Sequence, residues 1–189
     1  MTIIILCFTG YYIPSYKASG PVKTIYNMVE QLSDYNFSIV TRDRDLGDLN
    51  SFDNLEFNVW NSESNFNVMY LNEVNQSIFN FSRIVKKTEF DVIYLNSFFD
   101  YHFSIKLLIA RKLFLIKDCP IVLAPRGEFS KGAMLIRSLK KRLFINFTRY
   151  LGLHKNVIWQ ASSDYEKQDI IDNLSVRSEN IFVAKDLPS

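Results

Sequence analysis

Short runs of β-branched and aromatic residues recur along this chain, and most are followed by a polar or Gly/Pro turn and then by a longer stretch of helical period. That alternation constrains the fold more than any other feature. It predicts strands near residues 3–8, 37–41, 56–60, 67–71, 92–95, 121–124, 157–160 and 181–184, with helices near 21–32, 75–87, 102–116, 132–151 and 164–174. Strands joined through helices must pair in parallel, and a parallel sheet buries its apolar strands only when helices cover both faces. The expected fold is therefore α/β: a Rossmann-like, doubly wound, mostly parallel sheet. The 189 residues suffice for one buried core, so residues 1–189 are expected to form one domain.

Charge and cysteine usage narrow the function. A formal net charge of +2 is too small to argue for nucleic acid as a partner. Cys7 and Cys119 sit in strand-like surroundings and read as reduced thiols, which points to the cytoplasm. The opening residues carry no basic leader, and the most apolar stretch, 105–116, is interrupted by Lys106, Arg111 and Lys112, well short of the roughly 20 apolar residues of a membrane span.

In an open parallel sheet ligands bind beyond the carboxyl ends of the strands. Thr9-Gly10-Tyr11, Arg42-Asp43, Asn96-Ser97, Pro125-Arg126-Gly127-Glu128 and Ser162-Ser163 occupy those positions. Ser19 is suited to cap the first helix, Gly20 permits close approach of a ligand, and Lys23 lies one turn inside, so this turn is either a phosphate site or only a well-formed helix start. No Gly-x-Gly-x-x-Gly or Walker sequence is present, which disfavours NAD enzymes and P-loop NTPases. Arg126 is a candidate for gripping a phosphate or carboxylate, and Glu128 for orienting sugar hydroxyls; an ion pair that merely fixes the loop is the equal alternative. Ser163 and Glu166 form a Ser-x-x-Glu capping box.

Projected as one helix, residues 132–151 place Leu135, Ile136, Leu139, Leu143, Phe147 and Leu151 on one half, and Lys131, Arg137, Lys141, Arg142 and Arg149 on the other. No acidic residue occurs from Phe129 through Ser163. The reading is two cleanly divided faces, with Arg137, Lys141, Arg142 and Arg149 facing an anionic membrane surface or a pyrophosphate-linked acceptor; a plain solvated helix face is the alternative. His102 and His154 have no companions at metal-ligand spacing, so neither a metal nor a cofactor is expected.

Several of these segments together resemble the amino-terminal domain of glycosyltransferase family 4. The likeness rests on Tyr11-Tyr12-Ile13-Pro14-Ser15, Lys17-Ala18-Ser19-Gly20-Pro21-Val22-Lys23, Thr41-Arg42-Asp43-Arg44-Asp45-Leu46-Gly47-Asp48, Asp91-Val92-Ile93-Tyr94-Leu95-Asn96-Ser97, Ala124-Pro125-Arg126-Gly127-Glu128-Phe129 and Trp159-Gln160-Ala161-Ser162-Ser163. The resemblance implies the acceptor-side half of a two-domain GT-B enzyme, a retaining hexosyltransferase that moves sugar from a nucleotide-sugar donor to a lipid-linked glycan or polysaccharide precursor of the cell envelope. It would work at the inner face of the cell membrane. Where that family commonly has Gly-Gly-x-x-Arg, this chain has Ser19-Gly20-Pro21-Val22-Lys23; where many members have a His near the reacting sugar, it has Arg126. Ser19, Gly20, Lys23, Asn96, Arg126 and Glu128 are then the candidate acceptor or phosphate contacts. The Glu-x7-Glu pair of the nucleotide-sugar domain does not occur here, so that domain lies outside these residues and the chain alone is expected not to turn over. Two competing expectations are a non-catalytic module that docks on a membrane or a partner, and another one-domain Rossmann enzyme such as a methyltransferase. The missing glycine fingerprint counts against the latter.

Overall fold

A computed structural model describes residues 2–63 and 66–187. Its centre is one eight-stranded sheet in the order β3-β4-β2-β1-β5-β6-β7-β8. The strands are β1 (Ile3–Thr9), β2 (Tyr35–Arg42), β3 (Trp60–Ser62), β4 (Phe66–Leu71), β5 (Val92–Asn96), β6 (Ile121–Ala124), β7 (Val157–Ala161) and β8 (Ile181–Val183). All neighbours pair in parallel except β3 with β4. The helices are α1 (Ser19–Gln31), α2 (Ile78–Lys87), α3 (Lys106–Lys112), α4 (Lys131–Leu135), α5 (Ser138–Tyr150) and α6 (Asp164–Leu174). This is the doubly wound α/β architecture expected from the alternation.

Period-two alternation divides the core. On β1, Leu6 and Phe8 face a cluster that includes Phe81 of α2, Leu107 of α3, Ile145 of α5 and Ile170 of α6. Cys7, between them, faces Ile25 and Val29 of α1 on the other side. Each fully buried Leu or Phe contributes roughly 1.5–3 kcal/mol, so the sheet is held from both faces. From β4 the chain crosses β2 and β1 to reach β5, which places the reversal of winding between β1 and β5.

Four elements differ from expectation, each for a local reason. The strand predicted over 56–60 is largely irregular: Asn54 and Asn58 take positive φ (59° and 63°), so regular pairing begins only at Trp60, and it is antiparallel. The helix predicted from 75 starts at Ile78, after a 3-10 turn at Glu73–Asn75, because Ser77 Oγ accepts the Asn80 N–H and caps it. Over 102–116 the chain first makes a π turn, Tyr101–Ile105, in which the Ile105 N–H reaches back to the Asp100 carbonyl at 3.1 Å, and α3 then ends before Leu113. The long helix expected over 132–151 is two helices. Arg137 adopts left-handed backbone at φ 54° and separates α4 from α5. No helix among the described residues is long and apolar enough to cross a membrane.

Candidate functional site

The reversal between β1 and β5 opens a crevice at the carboxyl ends of the strands, the place where open α/β sheets hold ligands. Gly10 follows β1 there, and a Cβ on it would collide with Asp100 Oδ2 and lie 3.3 Å from an Arg42 nitrogen. Glycine lets both side chains approach the backbone closely there. On the far side, β5 and β6 each run into a non-glycine residue with positive φ, Ser97 at 86° and Arg126 at 56°, followed in the second case by Gly127 at 72°. Such backbone costs on the order of 1–3 kcal/mol per residue and persists only where its surroundings hold it.

Those surroundings are specific. Arg126 Nε donates to Asn96 Oδ1 at 2.9 Å, one terminal nitrogen donates to the Tyr94 hydroxyl at 2.5 Å, and the other pairs with Asp186, which follows β8. The Arg126 side chain is only 11% exposed. Asn96 completes its own bonding by donating to Thr9 Oγ1 at 3.3 Å, which links β1, β5 and β6 at the crevice. Tyr94 in turn donates to Gln160 Oε1 at 2.7 Å. Burial pushes the Tyr94 phenol above its ordinary pKa against the nearby Arg126 charge, so it stays a neutral hydroxyl.

Glu128 does not pair with Arg126. Its carboxylate accepts from Ser97 Oγ at 2.5 Å and from the N–H groups of Phe98 and Phe99 at 2.6 and 3.2 Å. Burial raises its pKa, while those hydrogen bonds work the other way. Glu128 thus anchors the strained turn after β5 through hydrogen bonds, and not through an ion pair. Glu166 has a related job. Ser163 Oγ accepts the Glu166 N–H at 3.2 Å, the first half of the capping box. The Glu166 carboxylate, however, binds Ser162 N and Oγ and the Gly127 N–H instead of returning to Ser163.

Ser19 is not a cap. Ala18 holds the cap position of α1 with no side-chain hydrogen bond, and Ser19 is the first helical residue. Ser19, Gly20 and Lys23 are all exposed, and a Cβ on Gly20 would meet nothing within 4 Å. The turn is open to a ligand but is not gathered into the Asn96–Arg126 cluster by any contact among the described residues.

On the β2 side of Gly10 lies a cavity of about 280 Å³ lined by Arg42, Arg44, Glu73, Gln76 and His102. The Arg42 guanidinium lies 4.3 Å from the Tyr11 ring centre and 5.4 Å from that of Phe103, donates to the Tyr11 hydroxyl at 3.0 Å, and faces Asp100 at 3.6 Å. Its Nε is buried with no partner among the described residues. Asp100 Oδ1 meanwhile accepts the N–H groups of His102 and Phe103, both at 3.0 Å. Lys106 Nζ bonds the Gln76 carbonyl and lies 3.0 Å from His102 Nδ1; burial and this neighbouring ammonium lower the His102 pKa. Neither Arg42 nor His102 is among the site residues expected from sequence, since Arg42 reads as one of several strand-end residues and His102 as a lone histidine. The available signal was that Arg42 closes β2 and His102 lies in the segment that follows β5.

A further residue absent from the sequence-based site is Asp45, which holds the loop after β1. It accepts from Ser15 Oγ and from the N–H groups of Tyr16 and Lys17 at 2.9 and 3.1 Å. A larger cavity, about 690 Å³, opens instead at the amino ends of the strands, around Ile4, Tyr35, Asn36 and Lys87. Among the described residues no loop following a parallel strand lines it, so the crevice is the better candidate despite its smaller cavities.

No protein-family model matches this chain, and no curated protein matches it.

Proposed function

We propose that this domain is the acceptor-side half of a glycosyltransferase, which presents a lipid-linked glycan or polysaccharide precursor to a nucleotide sugar held elsewhere. The observation that carries this reading is the pair of strained residues, Ser97 and Arg126, at adjacent strand ends beside Gly10. Strain of this kind collects where a site is preorganised. Arg126 supplies charge stabilisation at the crevice. An acid/base role is assigned to no residue here. Asn96 orients Arg126, and Arg42 is the second cation available to an anionic group on the acceptor. Retention of configuration, a hexosyl donor and a place at the inner membrane face rest on the family resemblance alone.

The test is ligand-observed NMR on the full chain with a short-chain lipid-diphosphate sugar and, separately, a nucleotide sugar. Binding of the first is expected, with a loss of at least tenfold for Arg126→Ala in a variant whose melting shows it is folded. Preference for the nucleotide sugar, or indifference to Arg126→Ala, would overturn the assignment. The coding frame past the Ser189 codon is expected to enter a second α/β domain with a Glu-x7-Glu pair. A stop codon there, with no partner gene, would favour the non-catalytic module, a reading supported by the internal use of Arg126 and Glu128 described above.

A further inference from the structure

The α4–α5 segment exposes what an amphipathic helix ordinarily buries. Leu135, Ile136, Leu139, Leu143, Phe147 and Tyr150 are all more than half exposed. Within α5, Leu139, Leu143, Phe147 and Tyr150 recur at spacings of four, four and three and so form one continuous ridge. The inward face is already occupied: Ile145 and Thr148 are buried, and Phe144 packs against Phe98 with ring centres 5.7 Å apart. The helix therefore cannot turn its ridge inward without giving up that packing.

Charge flanks the ridge. Arg142 and Arg149 lie along one edge and Lys140 along the other, all exposed, and Arg137 stands exposed at the break. Lys141 departs from the basic face expected from sequence: its Nζ donates to the Ala133 carbonyl at 2.8 Å and lies 4.8 Å from the Phe99 ring centre, so it ties α4 to α5. The outward face is thus an apolar ridge edged by cations, not a basic half opposite a buried apolar half.

We infer that this ridge inserts into the headgroup region of an anionic lipid bilayer, with Arg137, Lys140, Arg142 and Arg149 engaging lipid phosphates. A helix lying in the interface needs this arrangement: apolar side chains directed at the acyl boundary, and cations beside them whose stems reach back to the headgroups. The absence of any acid from Phe129 through Ser163 selects an anionic surface. It also disfavours a second copy of this chain, because a two-fold contact would set each cationic edge against itself. The inference rests on the α4–α5 surface and not on the transferase reading.

Flotation of the full chain with vesicles tests it, using equal parts phosphatidylglycerol and phosphatidylcholine against phosphatidylcholine alone. The chain is expected to float with the anionic vesicles and at least tenfold less with the neutral ones. Leu143→Ser with Phe147→Ser, and separately Arg142→Glu with Arg149→Glu, should each weaken anionic binding at least tenfold while thermal melting shows a folded domain. A wild-type chain that stays unbound would overturn the inference, as would binding unchanged in both pairs. So would a dimer in size-exclusion chromatography that Leu143→Ser converts to monomer, since the ridge would then serve a second copy.

Discussion

Arg126 Nε donates to Asn96 Oδ1 across the ends of β6 and β5 at 2.9 Å, and Asn96 is almost wholly buried. The asparagine holds the arginine through one oxygen while its amide nitrogen holds Thr9. Asn96→Leu would keep the branched shape without either bond. It is expected to cost about 2–3 kcal/mol, because hydrogen bonds to a charged group are worth more than neutral ones and the loss strands buried partners. Urea unfolding checks this, and a midpoint equal to wild type would count against the network.

Glu128 accepts three hydrogen bonds at the turn after β5. Glu128→Ala leaves the Phe98 and Phe99 N–H groups without partners, and about 2–4 kcal/mol of stability should go with it. Amide hydrogen exchange should show new opening at residues 97–100 before any change in α1.

Burial works against a charged Asp45, but hydrogen bonds from Ser15, Tyr16, Leu46 and Lys17 outweigh it and hold the carboxyl at about 2, below the ordinary 3.8. A carboxyl more acidic in the folded state stabilises the fold above its unfolded pKa, and that stability is lost as pH falls from about 4 through 2. Asp45→Asn is expected to flatten stability across that window and to loosen residues 15–17. An acid titration of the variant that overlays wild type between pH 4 and 2 would contradict this.

Folding favours the neutral form of His154, where it favours the charged form of Asp45, but the direction of the effect on stability is the same. Burial, helped by the nearby Arg149 charge, lowers its pKa from 6.5 to about 4, and its Nε2 lies 3.0 Å from Thr148 Oγ1 beside Trp159. The unfolded chain takes up the proton first, so stability falls as pH drops from 6.5 towards 4. The loss is on the order of 2–3 kcal/mol. Melting temperatures of His154→Gln should be less sensitive to pH in that range than those of wild type.

Gly10→Ala places a methyl group against the Asp100 carboxylate, which is already committed to His102 and Phe103. The carboxylate must shift, and Arg42 loses its nearest counter-charge. A destabilisation of roughly 1–3 kcal/mol is expected, along with an altered chemical environment for His102 readable by NMR.

Sequence by itself determined the layered fold. Local β-branched runs separated by helical periods leave a parallel sheet as the stable way to bury those strands, and Thr9, Asn96 and Arg126 fall at the crevice because they end or follow strands. The same local logic failed where a distant partner decided the outcome. Ser19 has the chemistry of a cap, yet Ala18 holds the position, since the path of the chain into α1 is set partly by the bonds of Asp45 to residues 15–17. The helix over 132–151 has unbroken helical period, but α5 buries Ile145 and Thr148 and turns Leu139, Leu143 and Phe147 outward. A hydrophobic period tells which residues share a face. Which face turns inward depends on what the neighbouring elements offer to pack against, and here Phe98 and Phe99 of a loop some 45 residues upstream receive Phe144 instead of the leucine ridge.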